Sequence, residues 1–172
     1  MVRFTMTRFT DEDLDYLTSV PSFGMAVSIV DKGGTLGSLK ELAAVTKAVT
    51  SGAANYPNND LVRIVHSELH SPEAVEARYE RNRNAEPKQK TSDVNVVINA
   101  AFEKVRVINA ILEAKATPQE AEEYRRWILE VAQAGAEASK EGGVLGIGGV
   151  KVSEAEQHYL DNLANELFSS RG

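Results

Sequence analysis

The most constraining feature of this chain is the run from Val94 to Leu112. Val94, Val97, Ile98, Ala101, Phe102, Val105, Ile108 and Leu112 recur there at helical spacing, while Asn95, Glu103, Lys104 and Arg106 fall off the stripe. Val and Ile favour strands by intrinsic propensity, but the period fits 3.6 residues and not 2, so the run reads as an amphipathic helix. Thr117-Pro118-Gln119-Glu120 follows. It supplies a cap, a proline at the first helical position and a glutamate that reaches back to the cap. In the next helix Ala121, Tyr124, Ile128, Val131, Ala132 and Gly135 form an inner face with Trp127 beside it, and Gly142 stops the helix after about Lys140. Two long helices, 93–116 and 118–140, joined by so tight a turn are expected to pack antiparallel.

The rest of the chain carries the same punctuation. Thr10 precedes Asp11, Glu12 and Asp13, a cap followed by acids that suit the positive end of a helix. A short helix should run to Val20, with a boundary at Pro21. Ser22 to Val30 is apolar and reads as a buried helix, with a strand as the alternative at that length. Asp31 to Gly37 is a turn, and Ser38 stands three residues before Glu41 in capping-box spacing. Leu39, Leu42, Ala43, Val45, Ala48 and Val49 then supply an apolar side, and Gly52 stands where a C-terminal glycine belongs.

Tyr56 to Asp60 is a second turn with Asn58 or Asn59 as the cap, followed by Leu61, Ile64, Val65 and Leu69 at helical spacing. Ser71-Pro72 restarts a polar helix to about Asn84, and 84–92 reads as an internal loop. Gly142 to Gly149 is a glycine-rich loop, Ser153 and Glu156 make a further box, and Tyr159, Leu160, Leu163, Ala164 and Leu167 face inward on the last helix. The expected fold is therefore all-α. Residues 1–172 would form one domain, a bundle of about six or seven helices around the long antiparallel pair.

Composition narrows the function. Nineteen Lys and Arg against 25 Asp and Glu give −6, which leaves no basic excess to neutralise phosphates and speaks against nucleic-acid binding. The absence of cysteine excludes disulfides, thiolate catalysis and Cys-ligated metals. The first residues lack a signal-like apolar core, and no apolar run approaches the roughly 20 residues of a membrane span. The expectation is a cytoplasmic protein without a membrane partner.

One signal repeats. Gly33-Gly34-Thr35-Leu36-Gly37-Ser38-Leu39-Lys40-Glu41 and Gly148-Gly149-Val150-Lys151-Val152-Ser153-Glu154-Ala155-Glu156 share the pattern G-G-x-x-x-S-x-x-E, each leading into a helix. Two helices that simply begin alike would suffice to explain it. The pattern also resembles the TerB-like family associated with tellurite resistance, an all-helical bacterial fold whose repeats carry an Asp-Gly turn and a Ser-x-x-Glu helix start. Asp31, Gly33, Ser38 and Glu41 match in the first copy, and Gly149, Ser153 and Glu156 in the second. The family's acidic residues are implicated in metal binding, so the resemblance implies Asp31, Glu41 and Glu156 as ligands of a divalent cation. Oxygen-only ligation favours calcium, magnesium or manganese. The glycine-rich segment through Glu156 also resembles uncharacterised bacterial helical proteins.

Other chemistry is thin. His66 and His70 lie four apart and could share one helical face as a zinc pair, but His-Ser-Glu-Leu-His lacks the glutamate placement of a metalloprotease; His158 is the third histidine. No Glu precedes a His by three, as a di-iron bundle requires. Gly143 and Gly148 have P-loop spacing, but Gly149 stands in place of the lysine. No serine sits in G-x-S-x-G. Arg78, Arg81, Arg83, Lys88 and Lys90 cluster with Glu76, Glu80 and Glu86 interleaved, the signature of a solvated, salt-paired face. Without a catalytic set, the chain reads as a non-enzymatic interaction or regulatory protein, with no cofactor. Its partner would be another protein or a second copy of itself, since the Val/Ile stripe could extend beyond one bundle. The alternative is a TerB-like stress-response protein that binds a divalent cation.

Overall fold

Short polar side chains set the helix starts. Thr10 and Asp13 satisfy each other's backbone N–H groups in a capping box, at 2.6 and 3.2 Å. Asn59 accepts from the Val62 N–H at 2.9 Å, Asp93 from the Asn95 N–H, and Ser153 boxes with Glu156. Thr117 and Glu120 form the expected box at the start of the second long helix. These donors would otherwise be orphaned at the helix ends.

The computed structural model describes residues 8–31, 39–83, 93–138 and 152–169, with the side chain of Asp31 left aside. They form eight helices: α1 Asp11–Leu17, α2 Val20–Asp31, α3 Leu39–Asn55, α4 Asp60–His70, α5 Pro72–Arg83, α6 Val94–Lys115, α7 Pro118–Ala138 and α8 Glu154–Phe168. There is no strand among the described residues, so the fold is all-α and the Ser22–Val30 segment is helical. α1 and α2 are separated only by the turn at Thr18 and Ser19. No helix among the described residues is long and apolar enough to cross a membrane. The turn 32–37, the loop 84–92 and the glycine loop 142–149 lie outside the described residues.

The core is organised by α2 and α7. Val20, Phe23 and Val27 of α2, with Leu17 at the end of α1, and Tyr124, Trp127, Ile128, Val131 and Ala132 of α7 are sealed from water. The two backbones meet at a pair of glycines. A Cβ on Gly135 would stand 2.5 Å from the carbonyl oxygen of Gly24, closer than any real contact. A Cβ on Gly24 would stand 2.6 Å from Cγ2 of Val45 on α3 and 2.9 Å from the Val131 carbonyl oxygen. Only residues without side chains allow that crossing. Tyr124 anchors it by donating its hydroxyl to the Leu17 carbonyl at 2.6 Å.

This crossing changes the expected pairing of the long helices. α6 and α7 are consecutive, but they meet only slightly; α2 and α8 each pack on both of them. The tight turn at Ala116 and Thr117 links the two without making them partners, because α2 already occupies the inner face of α7. α6 instead runs alongside α8 in the same direction. Phe102 stacks on Tyr159 with ring centroids 5.9 Å apart, and seven residues on in both helices Asn109 donates to the Glu166 carbonyl at 2.9 Å.

α3 also departs from expectation. Gly52 does not end it, because the helix runs on to Asn55. Gly52 lies inside the helix with the indole of Trp127 filling the place its side chain would take. The buried face of α3 is Glu41, Val45, Val49 and Gly52, while Leu39, Leu42 and Ala43 point outward. Packing against Trp127, whose Nε1–H donates to the Ala48 carbonyl at 3.3 Å, fixes the helix in that rotation.

The glycine crossing should be intolerant of a single methyl. Gly135→Ala should cost about 3 kcal/mol, at the upper end of overpacking costs. Ala134→Gly, one position away at the edge of the α3–α7 groove, should cost only about 1 kcal/mol. Urea denaturation of the two variants checks the contrast.

Candidate functional site

The three residues that the repeat nominated for a cation fare differently. Asp31 is the last residue of α2, and its side chain lies outside the described residues. Glu41 sits in the first turn of α3 and Glu156 in the first turn of α8, and both are fully buried. Glu156 closes a capping box, in which its Oε2 accepts the Ser153 N–H at 3.0 Å while Ser153 Oγ accepts the Glu156 N–H at 3.2 Å. Ser38, the corresponding partner of Glu41, lies outside the described residues. α3 and α8 both pack on α2 and α7. Among the described residues no group of three or more His, Asp or Glu is placed to hold a metal.

Glu120 is a third buried glutamate at a helix start, and its environment is fully drawn. Its Oε2 accepts the Thr117 N–H at 2.9 Å, and Oε1 pairs with the Arg8 guanidinium. Burial alone would raise its pKa, but the hydrogen bonds from Arg8 and Thr117 outweigh it and hold the carboxyl below the usual range. The neighbouring Asn59, fully buried, donates to the Glu120 carbonyl at 3.2 Å and to Glu123 Oε2 at 2.9 Å. One amide therefore caps α4 and ties it to α7.

The histidine pair is more built than its spacing suggested. The His66 and His70 rings stack with centroids 4.1 Å apart. His66 is partly buried, and its Nε2 is enclosed without a hydrogen-bond partner. Burial pulls its pKa below the ordinary histidine value; the charge of His70 adds to this, and a Thr50 backbone contact opposes it. His158 is exposed on α8, which shares no packed interface with α4. The third histidine is thus not brought to the pair.

The basic cluster resolves into ion pairs. Arg81 reaches across to α1, 2.7 Å from Asp15 and 3.8 Å from Asp11, and Arg83 pairs with Glu80 at 3.1 Å. Arg78 donates to the Glu68 carbonyl at 3.4 Å. Lys88, Lys90 and Glu86 lie outside the described residues.

One feature went unread in the sequence, a groove of about 470 Å³ along α6 and α8. Phe102, Asn162, Asn165, Glu166 and Phe168 line it, with Phe168 43% exposed. Earlier on α6, Val94, Val97 and Ile98 are only partly buried although they continue the stripe that Ala101, Val105, Ile108 and Leu112 bury. The excess length of the stripe was the available signal.

No protein-family model, no curated protein and no solved structure matches this chain.

Acid should weaken the Glu120 cap. Its carboxyl is depressed in the folded protein, so its stabilisation is present above the unfolded value of about 4.3 and is lost as pH falls through the folded one. Glu120→Gln should cost about 1–2 kcal/mol at neutral pH. The difference from the unaltered protein should shrink as pH falls below the unfolded value. Urea titrations at neutral and acid pH read both effects.

Proposed function

We propose that this chain is a cytoplasmic, non-enzymatic interaction protein that associates with a second copy of itself through the first turns of α6. The observation that carries the reading is the half-buried stripe of Val94, Val97, Ile98 and Phe102, on a helix whose later apolar positions are sealed. A core-facing stripe that outruns its own core presents apolar surface to a partner. The groove between Phe102 and Phe168 adds a recess rimmed by Asn162 and Asn165, a mixture of apolar floor and amide edge that suits a protein surface. Glu103 and Arg106, exposed and paired on α6, make the helix self-complementary in charge. Antiparallel copies would set each against its opposite, as a two-fold interface requires.

Sedimentation analysis across a concentration series tests this. The expected result is a monomer–dimer equilibrium that Ile98→Glu weakens at least about tenfold, the equivalent of about 1.4 kcal/mol. A monomer at all concentrations would refute self-association.

A second reading, a TerB-like bacterial stress-response protein that binds a divalent cation through Asp31, Glu41 and Glu156, is favoured by one observation. Two carboxylates sealed from water stand at the starts of helices that share the same pair of supports, α2 and α7. Calorimetric titration with calcium, magnesium and manganese should then give a binding heat that Asp31→Asn diminishes. The absence of heat with all three would end that reading.

A further inference from the structure

α4 ends on two imidazoles one helical turn apart, stacked within 24° of parallel. His70 Nδ1 lies 2.8 Å from the His66 carbonyl oxygen, and since that oxygen only accepts, Nδ1 carries the proton. His70 Nε2 lies 3.4 Å from Thr50 Oγ1 on α3. The Thr50 hydroxyl donates to the Thr46 carbonyl at 2.9 Å, which leaves it a lone pair toward His70. His70 thus has a polar neighbour at each ring nitrogen. His66 differs. Its Nε2 is enclosed without a hydrogen bond, a Thr50 backbone contact offsets burial only in part, and a proton there would set a desolvated charge against the stacked His70 ring.

The described groups around the pair offer His66 no counter-charge. On α1, Asp11 and Asp15 are turned to Arg81. On α7, the Glu120 carboxylate pairs with Arg8, and Glu123 accepts from Asn59 at the opposite end of α4. On α5, Glu73 accepts from Ser71, and on α3 Lys47 shares a shallow hollow with Thr50. Glu68, on α4 itself, makes its charge felt at Arg81. The charge felt at His66 among the described residues is that of His70. Beyond the pair the chain passes through Ser71 into α5, which packs on α4 and is otherwise tied to α1 by Arg81.

We propose that the stacked histidines are an acid-released clasp: protonation of His66 parts the rings and loosens the α4–α5 arm. The depressed pKa of His66 gives the sign. A base harder to protonate when folded contributes stability that is complete above its unfolded value of about 6.5 and is lost below it.

Hydrogen exchange read by mass spectrometry at pH 7.5 and 5.5, with intrinsic rates divided out, tests the clasp. Residues 60–83 should lose protection at the lower pH by up to about tenfold, the ceiling set by one histidine of ordinary unfolded pKa. His66→Gln, neutral at both pH values, should abolish that dependence. Asp15→Asn, which breaks the tie to α1, should speed exchange of α5 alike at both. An NMR titration of the ring protons in the unaltered protein should place His66 below free histidine, independently of any variant. Equal protection at the two pH values, a dependence that survives in His66→Gln, or a His66 that titrates like free histidine would each overturn the proposal.

Discussion

Backbone contact between α2 and α7 at Gly24 and Gly135 governs where the other helices can go. Helices normally keep their axes 8–10 Å apart because side chains stand between them. Removing both side chains at one level lets the main chains touch and brings Val45 of α3 into the same crossing. α3 and α8 then lie on this central pair, and α6 closes over α2 and α8. The large rings fit around the crossing. Tyr124 and Trp127 meet edge to face, with centroids 5.9 Å apart, and Trp127 enters α3 where Gly52 leaves room. Three glycines thus set the spacing that the apolar side chains fill.

A second constraint is the burial of glutamates at helix starts. Glu41, Glu120 and Glu156 are all withdrawn from water, each within the first turn of its helix. A carboxylate is costly to bury. The positive end of a helix, together with the N–H groups that Glu120 and Glu156 are seen to accept, offsets much of that cost. The repeated Ser-x-x-Glu pattern therefore has a sufficient mechanical cause at Ser153. The same seclusion is what a cation would need, which is why the repeat supports two readings of different kinds. On the α6 stripe, Ala101, Val105, Ile108 and Leu112 are buried in the core, while Val97, Ile98 and Phe102 are half-buried at its edge.

The sequence revealed elements more readily than their partners. The α7 face, from Ala121 to Gly135, followed directly from period and polarity, and the boxes at Thr117 and Ser153 from spacing alone. α2 was ambiguous because the nine residues from Ser22 to Val30 carry little periodic contrast. Gly52 was misread for a physical reason: a glycine near the end of a polar-faced helix looks like a terminator. Its true role depends on Trp127, a residue distant in the chain. The pairing of α6 with α7 was inferred from a short turn, and that inference failed because a glycine crossing elsewhere competes for the same surface. The histidine pair was visible as spacing, while the enclosure of His66 needed α3 to be in place.

The central claim is that α2 and α7 touch main chain to main chain. Nuclear Overhauser contacts between the Hα protons of Gly24 and those of Gly135 in isotopically labelled protein measure it directly. Strong cross-peaks between these two residues are the predicted result. Their absence, with contacts running the length of α6 and α7 instead, would contradict the account.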